Sequence, residues 1–380
     1  MLSNTSHNVV KMSAAGSGKT YDICKEALER AQKGNRVLIT TYTNRGADSV
    51  RKEIRKHNSG VLHTNVVVKT WYSFLMSDLI KPYQRYLTME INGIKALDYS
   101  QVYGYINYAK PRTKEKYITP QNNVRSNEAA SLVCLLNELS DGKSIGRLES
   151  IYNAIYFDEI QDLTGDDIEI LRLLFDSRID VVCCGDNKQA TFKTHNTRKN
   201  KNQTGKNIWE FFRKLEESGL IDVERNLSSR RFNAQICNFA NNVFPVGDSI
   251  TTIMDEHTAH DGVYLIDAKD VEAYQNAYMP QMLRYDKRSY TYGYPAVNYG
   301  ACKGETFERV MIVPNDPFLK FITKGTALES PEKYYVAVTR AKYSLVFILK
   351  KLPDSVNGYE EVKIDCGGVR VRALKYIATV

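Results

Sequence analysis

The chain has 380 residues, of which 43% are hydrophobic and 25% are charged. This composition is typical of a globular protein, and the length is too great for a single ordinary hydrophobic core, so we expect two domains. No apolar run approaches the length of a membrane span, no leader pattern opens the chain, and the seven cysteines form no CxxC pair, which together predict a cytoplasmic protein without a membrane partner. The net charge of +8 permits a polyanionic partner but does not identify one.

The first informative element is a turn rich in small residues, residues 13–20 (SAAGSGKT), between a polar start and a helix-like run. Backbone N–H groups of such a loop, together with the helix N-terminus, surround a phosphate. Lys19 would reach the β- and γ-phosphates, and the Thr20 hydroxyl would bind Mg²⁺. Taken alone, the pattern also fits a Gly-Ser turn that caps a helix. The predicted ATP-binding residues of this loop are Ala15, Gly16, Ser17, Gly18, Lys19 and Thr20.

Strand-like and helix-like segments alternate after this loop. Residues 36–42 and 66–68 are β-rich, and residues 47–56 have a helical pattern. Short apolar runs separated by helices predict a parallel sheet that is covered on both faces. From about residue 73 to 147, tyrosines multiply, strands vanish, and prolines and Asn-rich breaks appear. This change predicts a mainly helical segment inserted into the first domain.

Two further apolar runs, residues 154–157 and 181–184, end in polar residues. Asp158 follows the first run and is placed to hold Mg²⁺ through water, while Glu159 is placed to accept a proton from the attacking water. Gln189 follows the second run and is a candidate to orient that water or to sense the γ-phosphate. The alternatives are a helix cap with an acidic first turn and an ordinary Asp-capped turn.

A domain boundary is predicted near residue 217, which gives a first domain of residues 1–217 and a second of residues 218–380, with a short insertion at about 245–290. Residues 255–261 (DEHTAHD) contain an HxxH spacing with carboxylates, which are metal-ligand types, although a polar surface loop is the preferred interpretation. The candidate strands of a second sheet are residues 220–223, 263–266, 310–313 and 345–349.

These segments together resemble superfamily 1 helicases of the UvrD/Rep/PcrA-like branch. The resemblance implies an α/β fold with two RecA-like parallel-sheet domains, and ATP with Mg²⁺ between them. It also implies that Arg231 and Arg340 act as arginine fingers, and that Glu305 contacts the ribose or couples the domains. The family often has a tyrosine stacked on the base at the position before Arg231; Arg230 stands there instead, and its guanidinium plane could still stack. The similar segments are residues 13–20, 41–47 (TYTNRGA), 69–74 (KTWYSF), 157–162 (FDEIQD), 185–192 (GDNKQATF), 226–231 (NLSSRR), 301–307 (ACKGETF) and 335–342 (YVAVTRAK).

The resemblance further implies a partner, namely single-stranded DNA or DNA with single-stranded tails, with bases stacked on aromatic side chains. The predicted DNA-binding residues are Tyr42, Asn44, Trp71 and Phe192. The basic residues 195–201 fit phosphate binding and a solvated loop equally well. The expected function is an ATP-dependent single-stranded DNA translocase or helicase that moves 3′→5′. The alternative is a nucleic-acid-sensing ATPase subunit that regulates a protein partner such as a nuclease, for example in antiviral defence.

Overall fold

A computed structural model of the chain describes residues 7–87, 93–100, 112–191, 199–203 and 207–377. The chain divides into two compact units. The first comprises Met1–Met12 and Lys19–Arg225, and the second comprises Ser13–Gly18 and Asn226–Val380. Each unit is built around its own β-sheet.

The first sheet contains six strands in the order β3-β2-β6-β7-β1-β8. The neighbours β3-β2, β2-β6, β6-β7 and β7-β1 are parallel, as the alternation of apolar runs and helices predicts. Two further strands, β4 and β5, pair with each other inside the inserted segment. The strands up to the unit boundary are β1 (Val9–Ser13), β2 (Val37–Thr41), β3 (Val66–Thr70), β4 (Leu97–Asp98), β5 (Val124–Arg125), β6 (Ala154–Phe157), β7 (Asp180–Gly185) and β8 (Asp222–Asn226).

Helices cover both faces of the first sheet. The buried residues of the first helix recur on one stripe, and this stripe packs with β2, β6 and the second helix in one apolar cluster. The inserted segment packs on the other face with the seventh and eighth helices. Cys183 lies in the apolar cluster on the side of the inserted segment, and Cys184 lies in the cluster on the side of the first helix, because successive side chains of a strand point to opposite faces. The helices are α1 (Lys19–Gln32), α2 (Asn44–His57), α3 (Trp71–Phe74), α4 (Lys114–Tyr117), α5 (Ala129–Leu139), α6 (Lys143–Glu149), α7 (Asp166–Phe175) and α8 (Ile208–Glu217).

The inserted segment is mainly helical in the part that the structure describes, as predicted. A π-helical turn, Leu75–Ile80, and a 3₁₀ turn, Lys81–Tyr86, continue from α3. The two-residue strands β4 and β5 were not foreseen, because runs this short carry no periodic signal. Across the described ranges, every helix is too short or too polar to cross a bilayer.

The second unit contains a seven-stranded sheet in the order β13-β12-β14-β15-β11-β17-β16 and a separate β10-β9 pair. The ladder from β13 to β11 is parallel, whereas β17 and β16 are antiparallel. The strands are β9 (Ser228–Ser229), β10 (Thr251–Thr252), β11 (Gly262–Asp267), β12 (Gln281–Arg284), β13 (Ala296–Asn298), β14 (Phe307–Val313), β15 (Ala341–Leu349), β16 (Tyr359–Cys366) and β17 (Val369–Tyr376). The helices are α9 (Ala234–Val243), α10 (Val271–Tyr278), α11 (Asp316–Lys324) and α12 (Glu332–Val338).

The structure corrects three expectations for this half of the chain. The predicted strand at residues 220–223 forms β8 at the edge of the first sheet, where Asp222 donates to the Asn8 carbonyl at 2.9 Å. The second sheet is mixed and not parallel, because the hairpin β16-β17 adds to its edge. Residues 245–290 supply β11 and β12 to the sheet, so they build the core of the second unit and are not simply an insertion.

Candidate active site

The start of α1 and the end of β6 bring a lysine, a hydroxyl and two carboxylates together within the first unit. Thr20 Oγ1 donates to Asp158 Oδ2 at 3.0 Å. Lys19 Nζ lies 3.6 Å from Glu159 Oε1. The structure therefore groups the four residues to which the sequence assigns phosphate binding, metal binding and water activation, although they are separated by more than a hundred positions in the chain.

Negative charge is concentrated at this group. Burial and the neighbouring Glu159 carboxylate raise the pKa of Asp158 to about 6. Burial by itself lowers the pKa of Lys19, but the carboxylates of Glu159, Asp186 and Asp158 outweigh it, so this pKa lies above its ordinary value. Burial thus disfavours the ionised form of Asp158, whereas the neighbouring carboxylates stabilise the charged form of Lys19.

The donor set fits a hard divalent cation. A hydroxyl oxygen and a carboxylate oxygen lie 3.0 Å apart at Thr20 and Asp158, and Mg²⁺ is usually held by one or two protein oxygens, with water and substrate phosphate completing the shell. Among the described residues no group of three or more His, Cys, Asp or Glu side chains is arranged to hold a metal. In the segment 255–261, His257 pairs with Asp261 at 3.2 Å, whereas His260 is bonded to Tyr274 at 2.7 Å.

The backbone at Glu159 is left-handed, with φ of 60° and ψ of 45°. Few residues other than glycine adopt this conformation, and where they do so it often serves a functional site. Its N–H donates to Asp158 Oδ1 at 3.1 Å. The turn follows directly on β6 and keeps both carboxylates beside Lys19.

A second line of buried polar residues extends from Glu159 to the end of β7. The side-chain amide of Gln161 donates to Glu159 Oε2 and accepts from the Asp186 N–H at 3.0 Å. Asp186 in turn accepts from Gln189 Nε2 at 2.8 Å. Gln189, the predicted water-orienting residue, is thus connected to Glu159 through two intermediate residues, by way of the side chain and backbone N–H of Asp186 and the side-chain amide of Gln161. Sequence reasoning assigned no role to Gln161 or Asp186, although both lie inside the segments that carry the resemblance.

The two candidate arginine fingers meet at one residue of the second unit. Arg231 Nη1 donates to the Thr339 carbonyl at 3.1 Å, and Arg340 Nη2 donates to the Thr339 hydroxyl at 3.1 Å. Arg340 is 1% exposed and also donates to the carbonyls of Val336 at 2.9 Å and Glu305 at 3.1 Å. Arg340 therefore links the two segments of the second unit that contain Glu305 and α12.

The loop Ser13–Gly18 is packed against residues 226–231. The backbone N–H of Ala14 donates to the Asn226 carbonyl, and the backbone N–H of Arg230 donates to the Gly16 carbonyl, both at 2.9 Å. Gly16 has φ of +76°, and a Cβ on it would lie 2.5 Å from Arg231 Cβ. Only glycine fits such a position.

Three other predicted nucleotide-binding residues differ in their surroundings. Ala15 is buried in the apolar cluster of the second unit, and the side chain of Arg230 is exposed. The Ser17 hydroxyl is buried and has no hydrogen-bond partner among the described residues. An orphaned hydroxyl within a phosphate-binding sequence is a fitting donor for a phosphate oxygen.

The predicted nucleic-acid residues fall in different environments. Asn44 is exposed at the start of α2, and Tyr42 is half-buried. Trp71 is 1% exposed, packs against Phe74 and Phe157, and donates to Asp167 at 2.8 Å. Its ring is packed in the core, although it also lines a small pocket with Tyr42, and its contact with a base stays a prediction. Phe192 and residues 195–198 lie outside the described residues.

Tyr42 begins a line of three tyrosine rings. Its ring centroid lies 6.0 Å from that of Tyr72, which lies 5.7 Å from that of Tyr99 in the inserted segment. Tyr99 is 65% exposed. Tyr42 also lines a small pocket together with Asp158 and Glu159. A ligand on Tyr42 would therefore lie close to the carboxylates.

A phosphate-loop sequence that leads into α1, with a hydroxyl and two carboxylates beside its lysine, is the arrangement of an NTP-hydrolysing protein. The model of the family "viral superfamily 1 RNA helicase core domain" matches residues 139–349, more than half of the chain. The chain belongs to this family of superfamily 1 helicases.

Comparison with solved structures gives a similarity to a chain in the "Complex structure of Arterivirus nonstructural protein 10 (helicase) with DNA". The TM-score is 0.46 and the sequence identity 13%, over 90% of this chain and 60% of that chain. The present chain thus spans about 60% of the length of that helicase. No curated protein matches the chain.

Proposed function

We propose that this protein is an ATP-driven motor that moves along single-stranded nucleic acid, with ATP hydrolysed at Lys19, Thr20, Asp158 and Glu159. The observation that carries the proposal is the convergence of these four side chains in a chain of the superfamily 1 helicase family. The finer assignment, to a compact UvrD-like protein with two RecA-like domains, is supported by the order of the motif-like segments along the chain.

The proposed reaction is hydrolysis of the γ-phosphoanhydride. A water oxygen bonds to the γ-phosphorus, the bond from that phosphorus to the β–γ bridging oxygen breaks, and ADP and phosphate leave. Glu159 takes the proton that the water loses, and Lys19 balances the charge of the β- and γ-phosphates. Thr20 and Asp158 are the residues that would hold Mg²⁺, which neutralises phosphate charge when bound. The phosphates would be surrounded by Ala15, Gly16, Ser17 and Gly18.

Arg231 and Arg340 are proposed to stabilise charge on the transferred phosphoryl group. Their common contact with Thr339 supports a joint action, because one residue then fixes the position of both guanidinium groups. Gln189 is proposed to sense the γ-phosphate through its bond to Asp186. Arg230 and Glu305 are proposed to contact the base and the ribose.

The nucleic-acid partner is proposed to bind at Tyr42 and Asn44. The accessible surface of both residues and the line of tyrosine rings support this assignment, because bases stack on aromatic side chains without sequence preference. The motif-like segments favour single-stranded DNA and 3′→5′ movement, whereas the description of the matched family names RNA. The substrate class is therefore single-stranded nucleic acid, and oligonucleotides of both kinds belong in each assay.

The test of the hydrolytic site compares two variants that should fail for different reasons. Lys19→Ala removes phosphate contacts and should abolish both ATP binding and turnover. Glu159→Gln should abolish turnover but retain bound ATP, because only water activation is lost. Lys25→Ala, an exposed lysine on the same helix α1, is the matched control and should behave as the wild type. An equal loss of ATP affinity in the first two variants would contradict the assignment of Glu159 as the base.

A further inference from the structure

We infer that Gln161 is a positioning residue for hydrolysis, which holds the Glu159 carboxylate in the orientation needed to activate water and ties it to the end of β7. This inference rests on the proposed function, since it requires Glu159 to be the base. Gln161 is 0% exposed. Both ends of its amide make hydrogen bonds to groups of the candidate site.

The orientation of the amide follows from its partners. The Asp186 N–H can only donate, so the atom that it meets at 3.0 Å is the amide oxygen of Gln161. The amide nitrogen therefore faces Glu159 and donates to Oε2. A glutamine meets both demands, because it carries a donor and an acceptor on one rigid plane.

The end of β7 is shaped to receive this side chain. A Cβ on Gly185 would overlap Gln161 Oε1 and would lie 2.7 Å from Ile160 Cγ2. Asp186, the next residue, is itself fixed by the Lys188 N–H at 2.9 Å and by Gln189 Nε2 at 2.8 Å. The anchor at the acceptor end of the amide is thus rigid.

Glu159 is held from two sides. Lys19 Nζ lies 3.6 Å from Oε1, and Gln161 donates to Oε2. If the amide is removed, the carboxylate loses the contact that opposes the pull of the lysine. A base that turns away from the attacking water lowers the rate of cleavage without weakening substrate binding. Displacement of a catalytic group by about 1 Å is enough to cost roughly 100-fold in rate.

The experiment is a double-mutant cycle on the intact protein. Gln161→Met removes both hydrogen bonds at nearly constant volume, and Glu159→Gln removes the base. ATP cleavage is measured in single turnovers with γ-labelled ATP, over times long enough to resolve the slow residual cleavage that Glu159→Gln retains without detectable steady-state turnover. ATP affinity is measured by equilibrium binding. In the wild-type background, Gln161→Met should slow cleavage roughly 10- to 100-fold and change ATP affinity by less than about twofold. In the Glu159→Gln background it should cause no further loss, because a residue that acts through Glu159 has nothing left to position.

Two more variants keep the test decisive. Gln161→Asn has the same amide on a shorter stem and takes the place of Gln161→Met if the latter does not fold, with a loss in the same direction. Gly185→Ala should reproduce the cleavage defect by displacing the Gln161 side chain, whereas Gln32→Met, an exposed glutamine on α1, should have no effect.

Equal losses from Gln161→Met in both backgrounds, or a loss of ATP affinity as large as the loss of rate, would overturn the positioning role while leaving the proposed function intact. Normal turnover by Glu159→Gln itself would overturn both the inference and the assignment of the base.

Discussion

Replacement of Asp158 by asparagine should stabilise the nucleotide-free protein at neutral pH while it abolishes ATP hydrolysis. The reason is the raised pKa of Asp158, about 6 against an ordinary value of 3.8. As the pH rises from 3.8 towards 6, the unfolded chain releases this proton before the folded protein does, so folding loses stability through this window. Above it both states are ionised and the cost stays constant.

The magnitude follows from the size of the shift. At ~1.4 kcal/mol per pKa unit, the ionised Asp158 costs about 3 kcal/mol at about pH 7.5 and about half of that at about pH 5. The carboxylate accepts hydrogen bonds from Thr20 and from the Glu159 N–H, and asparagine has one acceptor oxygen, so about 1 kcal/mol is lost again. The net gain is therefore about 2 kcal/mol at the higher pH and less than about 1 kcal/mol at the lower pH.

Urea unfolding of the nucleotide-free protein at both pH values measures this difference, with Asp176→Asn, an exposed aspartate at the end of α7, as the control. A gain of the same size at both pH values, or a variant less stable than the wild type at about pH 7.5, would refute the electrostatic explanation. Mg²⁺ with ATP should reverse the order, because binding stabilises the wild type and not the variant.

Three further predictions concern other parts of the molecule. Burial, and to a smaller extent the cations of Arg309 and Lys375, lower the pKa of His260 to about 4. As the pH falls from about 6.5 to 4, the unfolded chain therefore takes up this proton before the folded protein does, and folding loses stability. His260→Gln should reduce this loss, measured as the free energy of unfolding in urea. Gly16→Ala should lower ATP affinity at least about tenfold. Gly34→Ala, also at positive φ but with open space around it, should only lower the free energy of unfolding by about 1 kcal/mol. Equal effects of the two substitutions on ATP binding would contradict the close approach of Gly16 to Arg231. Tyr99→Ala should weaken binding of a single-stranded oligonucleotide about five- to tenfold in a fluorescence anisotropy titration, and Tyr290→Ala, which is 73% exposed in the second unit, should not.

Because buried parallel strands are continuous and short, the apolar runs of the sequence predicted four strands of the first sheet (β2, β3, β6 and β7) but only three strands of the second (β11, β14 and β15). They did not show to which sheet a strand belongs. The run at residues 220–223 overlaps the start of β8, which pairs in the first sheet, where the Asp222 N–H donates to the carbonyl of Asn8 from the other end of the chain. The hairpin β16-β17 alternates charged and apolar residues and was missed by a search for apolar runs.

The candidate site was likewise predicted only in part. The small-residue loop and the acidic pair predicted which residue types gather, since each follows a strand or opens a helix. The Gln161 amide and the Thr339 contact were not foreseen, because both join segments far apart in the chain through side-chain geometry. Trp71 shows the reverse case, in which an aromatic residue at a motif position lies in the core.

The most direct test of the proposed motor is ATP hydrolysis by the purified protein with and without single-stranded DNA or RNA, with Glu159→Gln run beside the wild type. At least one polynucleotide should stimulate wild-type hydrolysis, and the variant should show no steady-state turnover under any condition. The stimulating strand should support displacement of short tailed duplexes more readily than of long ones. Wild-type hydrolysis that is indifferent to both polynucleotides, or stimulated turnover by Glu159→Gln, would contradict the proposed function.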